Sequence, residues 1–267
     1  MSHDAEVEPN CLNCDTELQG KYCHVCGQKG SAPRLNMHDF VHDATHEFVH
    51  LDGKILQTVK LLVARPGELT REFVAGRRAR YITPLRLYLT FSLLFFTLAA
   101  ILPSKEDRAV IFKRQGNEKL SQDTEFERRI ERGLSKAEKD ADSLPQAVLH
   151  NLPKAMFVLM PMFGLLTWAF YRRQQRFYIP HLYYSVHFHA FVFLLMSVYV
   201  LLARVVPARF AALLLLAAIP YHFIALRRVY GGSRAAMFGK GLAIGMLYWM
   251  IVAGVVITIT FAVLYNL

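Results

Sequence analysis

Residues 182–203, LYYSVHFHAFVFLLMSVYVLLA, and 241–266, GLAIGMLYWMIVAGVVITITFAVLYN, contain no Asp, Glu, Lys or Arg. About 20 apolar residues carry a helix across the hydrocarbon core of a bilayer, so both stretches read as membrane-spanning helices. Three shorter stretches, 84–102, 155–171 and 210–226, have the same character. They need Arg86, Lys154, Arg172 or Arg209 at their ends to reach toward the headgroups. Pro161 and Pro220 lie inside the second and fourth of these spans and predict kinks, and a re-entrant fourth segment is the alternative. The 267 residues, 54% hydrophobic with mean hydropathy +0.24 and net charge +10, exclude a disordered chain and disfavour an ordinary soluble enzyme. The expected fold class is an all-α integral membrane protein of about five transmembrane helices with a small N-terminal zinc ribbon. Its expected organisation is a ribbon over 1–30, amphipathic juxtamembrane helices with a basic collar over 31–83, a first transmembrane helix at 84–102, a charged extramembrane loop with a helix at 103–153, and a four-helix transmembrane region over 154–267.

Every carboxylate side chain lies at or before Asp142, so Ser143 to Leu267 has none, and ten Lys and Arg residues there supply the whole net charge. Because this excess sits in short connections between apolar spans, its expected partner is anionic membrane lipid, and nucleic acid is disfavoured. Lys and Arg counts near the span ends place the N-terminus inside, in the cytosol, and the C-terminus outside a bacterial inner membrane. The opening MSHDAEVEPN lacks the features of a signal peptide. Within the loop, residues 121–142 interleave helix formers with charges of both signs, the pattern of a solvated helix. Phe126, Ile130 and Leu134 give it one apolar stripe, for the membrane surface or a partner.

All four cysteines fall within sixteen residues as Cys11-x2-Cys14 and Cys23-x2-Cys26. Two such knuckles place four thiolates at the corners of a tetrahedron, which suits structural Zn²⁺ with Cys11, Cys14, Cys23 and Cys26 as ligands and His24 as a bystander. Asn13, Asp15, Gly20 and Gly27 supply the permissive backbone that tight turns need. A pair of disulfides would need an oxidising compartment, a redox CxxC would need a βαβ setting, and catalytic zinc would need an open position.

His38, His42, His46 and His50 recur every four residues beside Asp39, Asp43 and Glu47. The stripe drifts about 40° per step on a helix, so the four cannot all meet one ion. His42-Asp-Ala-Thr-His46 formally resembles a zinc protease signature with Asp for Glu, so a second metal site competes with a plain amphipathic helix. Arg65-Pro66-Gly67 ends that helical pattern. The next helix has Glu68 near its positive end and Arg77, Arg78 and Arg80 near its negative end, and these three with Arg71 make up the collar's candidate anion site. The collar reads as an anchor to anionic lipid or as a pocket for a phosphate-bearing ligand.

These residues carry a resemblance. C-x2-C-x8-C-x2-CGQK from Cys11 to Lys29, His38 to Phe40, RPG at Arg65 to Gly67, REF at Arg71 to Phe73, GRRARYITP at Gly76 to Pro84 and HLYYSVHFHAF at His181 to Phe191 together resemble a bacterial domain-of-unknown-function family of zinc-ribbon, multi-pass inner-membrane proteins. The resemblance implies a membrane protein with a structural zinc ribbon and leaves its activity open.

Within the spans His187, His189 and His222 are the costly polar residues, with His181 at the entrance of the third span. Without carboxylates after Asp142, acid/base carboxylate pairs and mixed His/carboxylate metal centres are excluded there. An all-His metal or proton site remains as the alternative to interhelical hydrogen bonding. The leading functional expectation is an accessory or regulatory protein that engages a cytosolic protein partner or the inner leaflet. A permease or lipid-handling transporter is second, and a His-metal membrane enzyme third.

Overall fold

The computed structural model describes residues 9–30, 53–102, 129–130, 133–134 and 143–266. The histidine row His38 to His50, and Phe126 of the loop stripe, lie outside the described residues. Helices α1 (Lys54–Ala64), α2 (Glu68–Val74), α3 (Pro84–Ile101), α4 (Ser143–Tyr171), α5 (Tyr178–Leu202), α6 (Ala218–Tyr230) and α7 (Arg234–Asn266) follow one another, and among the described residues there is no strand. Among the described residues, five runs are long and apolar enough to cross a membrane: Pro84–Ile101, Ala147–Tyr171, Tyr178–Leu202, Ala208–Tyr230 and Arg234–Asn266.

Two of these runs differ from the sequence expectation. Helix α4 begins already at Ser143 and carries both Pro153 and Pro161 internally. Hydroxyls from α5 reach its backbone beside the second proline, Ser185 Oγ donating to Met160 O at 2.5 Å and Tyr178 Oη to Pro161 O at 2.9 Å. The fourth run is composite: Ala208–Ala211 is one α-turn, Ala212–Ala217 is 3₁₀, and α6 then continues to Tyr230. Pro220 sits in the first turn of α6, directly after the 3₁₀ segment and inside the continuous helical run Ala208–Tyr230. At 23 residues the run is long enough to cross, so its length fits a full span rather than a re-entrant one.

Helix α5 is the central post. Its Leu182, Tyr184 and Val186 are fully buried against Leu87 and Tyr88 of α3, Phe163 and Tyr171 of α4, and Leu226 of α6. Aromatic rings fill the joints, with Phe191 stacked on Tyr221 at 3.6 Å and Tyr88 edge-on to Phe193 at 5.7 Å.

The juxtamembrane helices belong to this bundle. Leu62, Leu69 and Phe73 are buried in the common core, and Tyr221 Oη donates to Leu62 O at 2.9 Å. The RPG turn fits against α6: Arg228 Nη1 donates to Pro66 O at 2.7 Å, and its Nε lies 3.6 Å from Glu68. Gly67 has φ +80°, and a Cβ there would stand 2.7 Å from the Ala225 carbonyl oxygen, so both backbone and space require glycine. Helix α2 closes with a Schellman cap, the Arg77 N–H bonding Glu72 O and the Gly76 N–H bonding Phe73 O, with Gly76 at φ +81°.

Candidate metal centre

Residues 9–18 and 21–30 are two copies of one hairpin. In the first, the Cys11 N–H bonds Thr16 O and the Asp15 N–H bonds Cys11 O, both at 2.8 Å. In the second, Cys23 pairs with Gln28 and Gly27 with Cys23 at the same distances. The fifth residue of each loop is left-handed, Asp15 at φ 61° and Gly27 at φ 73°. This is the turn residue that sequence reasoning asked for, since Asp and Gly are among the few that accept this region. Single antiparallel bridges, Asn10 with Glu17 and Tyr22 with Lys29, close the two hairpins.

The hairpins bring the four sulfurs together within 4.8 Å of one another. Cys11 Sγ lies 3.5 Å from Cys26 Sγ, and Cys14 Sγ lies 3.5 Å from Cys23 Sγ. A tetrahedron with metal–sulfur bonds of about 2.3 Å has edges of about 3.8 Å, so the cluster needs only a few tenths of an ångström of expansion to hold a metal ion. Four soft thiolates would close the shell and leave no position for a substrate. Hydrogen bonding from the Thr16 hydroxyl, 3.3 Å away, and then from its backbone N–H holds the Cys14 thiol down at about 6, which favours the thiolate a metal takes. Among the described residues no other group of His, Cys, Asp and Glu stands close enough together to hold a metal.

The ribbon is seated on the bundle by two side chains, Gln28 and Arg80. Gln28 Nε2 donates to Gly76 O at 2.8 Å, while its Oε1 accepts the N–H groups of Arg78 and Ala79, both at 3.1 Å. Gln28 thus satisfies three backbone groups of the turn between α2 and α3. Arg80 completes the seat, Nη2 donating to Asn13 O at 3.0 Å. The CGQK ending held this information, because an amide is the side chain able to donate and accept at one place. The spacing of the cysteines said nothing about the acceptor.

The four collar arginines have four different environments. Arg77 forms a two-pronged pair with Glu72 at 2.8 and 2.6 Å, which pulls the Glu72 carboxyl below its ordinary value and pushes the guanidinium up. Arg78 lies 5.7 Å over the Tyr183 ring and donates weakly to Phe73 O at 3.4 Å. Arg80 holds the ribbon, and Arg71, the most exposed, pairs with Glu68 at 3.3 Å.

The bundle histidines are likewise distributed, each meeting a hydroxyl from another helix. His189 Nδ1 donates to Ser185 O at 2.8 Å and Nε2 accepts from Tyr248 at 2.7 Å. His181 Nε2 donates to Gln175 O at 3.0 Å and Nδ1 accepts from Tyr230 at 2.9 Å. With both nitrogens engaged, neither ring has a lone pair left for a metal. Tyr184 meets His222 Nδ1 at 2.8 Å, and Thr70 of α2 meets His187 Nδ1 at 2.9 Å, leaving Nε2 of both His187 and His222 without a hydrogen-bond partner among the described residues. The sequence offers Tyr184 and Tyr248 as hydroxyls near the histidines but gives no signal for Thr70 or Tyr230, and which pairs form is set only once the helices pack.

The segment that joins ribbon to bundle is also the one with relatives. Residues 52–96 match a family described as proteins of unknown function, DUF3667. The DUF3667 segment comprises α1, the RPG turn, α2, the turn clamped by Gln28 and most of α3. Its RPG turn, Schellman cap and Thr70 are the features that fix it to α5 and α6. The cysteine ribbon lies outside the matched residues. No curated protein and no solved structure matches the chain.

Proposed function

We propose that the chain is a non-enzymatic accessory or regulatory protein of the bacterial inner membrane. Its four cysteines hold structural zinc, and its ribbon is the recognition head for a cytosolic protein partner. The observation that carries this reading is the ribbon's seat. Gln28 and Arg80 fix one side of the ribbon to the collar, while Tyr22 and Val25 of the second knuckle stay 63% and 64% exposed. Two apolar side chains held rigidly outward, next to Lys21 and His24, suit a small protein contact better than a free-standing metal store. The separate engagement of the bundle histidines by hydroxyls supports a scaffold over a His-metal enzyme.

The test places a photoreactive residue at Val25 of the full chain in cells, with Glu17 on the first knuckle as control. The reading expects one discrete protein adduct from position 25 that disappears when Cys23 is changed to Ser. Adducts of equal yield from both positions, or adducts to lipid alone, would overturn it. Elemental analysis of the purified protein is expected to give one zinc per chain, lost when Cys11, Cys14, Cys23 and Cys26 all become Ser.

A further inference from the structure

Helix α7 is the least covered span, and at the end of the bundle away from the ribbon a groove of about 620 Å³ runs between it and α4. Val255, Ile259 and Ala262 of α7 form an apolar wall, and Asn151, Lys154 and Asn266 supply the polar atoms. The volume lies in the range of sites that hold small organic ligands, roughly 300–1,000 Å³.

Lys154 is the reason to look for a ligand here. It sits within the span Ala147–Tyr171, about 10 Å from its start at a rise of 1.5 Å per residue. Lys154 is exposed near that end of the run, where an ammonium faces the level of the lipid headgroups. Asn151 positions it: the amide donates back to Ala147 O at 2.8 Å, so Oδ1 faces Lys154 and accepts from Nζ at 3.2 Å. A lysine ammonium has three donors, and this contact uses one. Beyond the lining, Arg129 covers the Tyr265 ring at 5.0 Å, and Ile130, Val148 and Val263 pack against Leu264.

Charge narrows the choice of occupant. Neither α3 nor any residue after Asp142 has a carboxylate side chain, so the spans of a second copy packed into this groove would offer Lys154 no counter-charge. A phospholipid offers both complements at once, a phosphate for the ammonium and ester and acyl groups for the α7 wall. We propose that the groove between α4 and α7 is a binding site for an anionic phospholipid, with its phosphate on Lys154 and the start of an acyl chain against Val255 and Ile259. This site is at the opposite end of the bundle from the arginine collar and does not depend on the role of the ribbon.

The experiment compares phosphatidylglycerol with phosphatidylcholine as additives to the full chain in a neutral detergent, read by the shift in thermal unfolding with lipid concentration. Wild type is expected to respond to phosphatidylglycerol at roughly tenfold lower concentration, as one charge-assisted contact would give. Lys154→Gln should abolish that preference, Lys154→Arg should keep it, and Lys60→Gln on the exposed face of α1 should leave it unchanged. Ala262→Trp retains the lysine but fills the groove, and it should lose the preference as well, which tests the site even if Lys154→Gln does not fold. The proposal is overturned if the two lipids act alike on wild type, if Ala262→Trp or Lys154→Gln keeps the full preference, or if soluble glycerol 1-phosphate alone reproduces the shift.

Discussion

Single residues fix the joints of this protein. Gly67 meets two demands together, a left-handed backbone and a carbonyl 2.7 Å from where a Cβ would stand. Gly67→Ala is therefore expected to destabilise the protein by about 1–3 kcal/mol, read as a lower unfolding temperature in detergent, whereas Gly20→Ala, with open space around it, should have little effect. The buried histidine pairs give a second case. Tyr230 donates to His181 Nδ1 while Gln175 O occupies Nε2, so Tyr230→Phe leaves a buried acceptor unsatisfied. About 1–3 kcal/mol of stability should be lost. If that variant unfolds like wild type, the pair contributes no net stability. These hydroxyl–imidazole contacts were invisible in sequence because their partners are 38 to 117 residues apart.

Between ribbon and bundle, the element that matters is the turn from Gly76 to Thr83. Its carbonyl and N–H groups are held by Gln28 on one side, and its arginines pair with Glu72 and Asn13 on the other. Gln28→Ala is expected to retain one zinc per chain yet expose the turn, so that trypsin cleaves after Arg78 or Arg80 faster than in wild type. Unchanged cleavage would mean that the ribbon does not guard the turn. The Glu72–Arg77 pair adds a pH dependence with a definite sign. The Glu72 carboxyl is depressed in the folded state, chiefly by the hydrogen bond from Arg77. Its contribution is thus present above the ordinary carboxylate range and is lost as pH falls through the lower folded value. Glu72→Gln should be less stable than wild type at neutral pH, and the gap should close below about pH 4.

At the scale of the whole molecule, the described parts form one bundle whose juxtamembrane helices are built into it and whose cysteine ribbon is seated on its end. If the metal holds the ribbon together, chelation should have an effect at a distance. A strong chelator is expected to accelerate trypsin cleavage at Arg77 to Arg80 in wild type and to add little in Gln28→Ala, where the clamp is already gone. A chelator effect of equal size in both would sever the link between metal and seat. The sequence by itself determined the membrane class, the spans and the four sulfurs, because apolar length, charge exclusion and CxxC spacing act locally and survive without knowledge of neighbours. It also placed Glu68 at the start of α2 and assigned the turn positions Asp15 and Gly27. Tertiary structure alone decided where the collar arginines and bundle histidines spend their hydrogen bonds. It placed Pro220 just after the junction of a 3₁₀ segment with α6, and it drew α1 and α2 into the core. Each of these outcomes depends on which distant backbone carbonyl, ring or hydroxyl arrives at a residue, and that is set by helix packing rather than by any period in the chain.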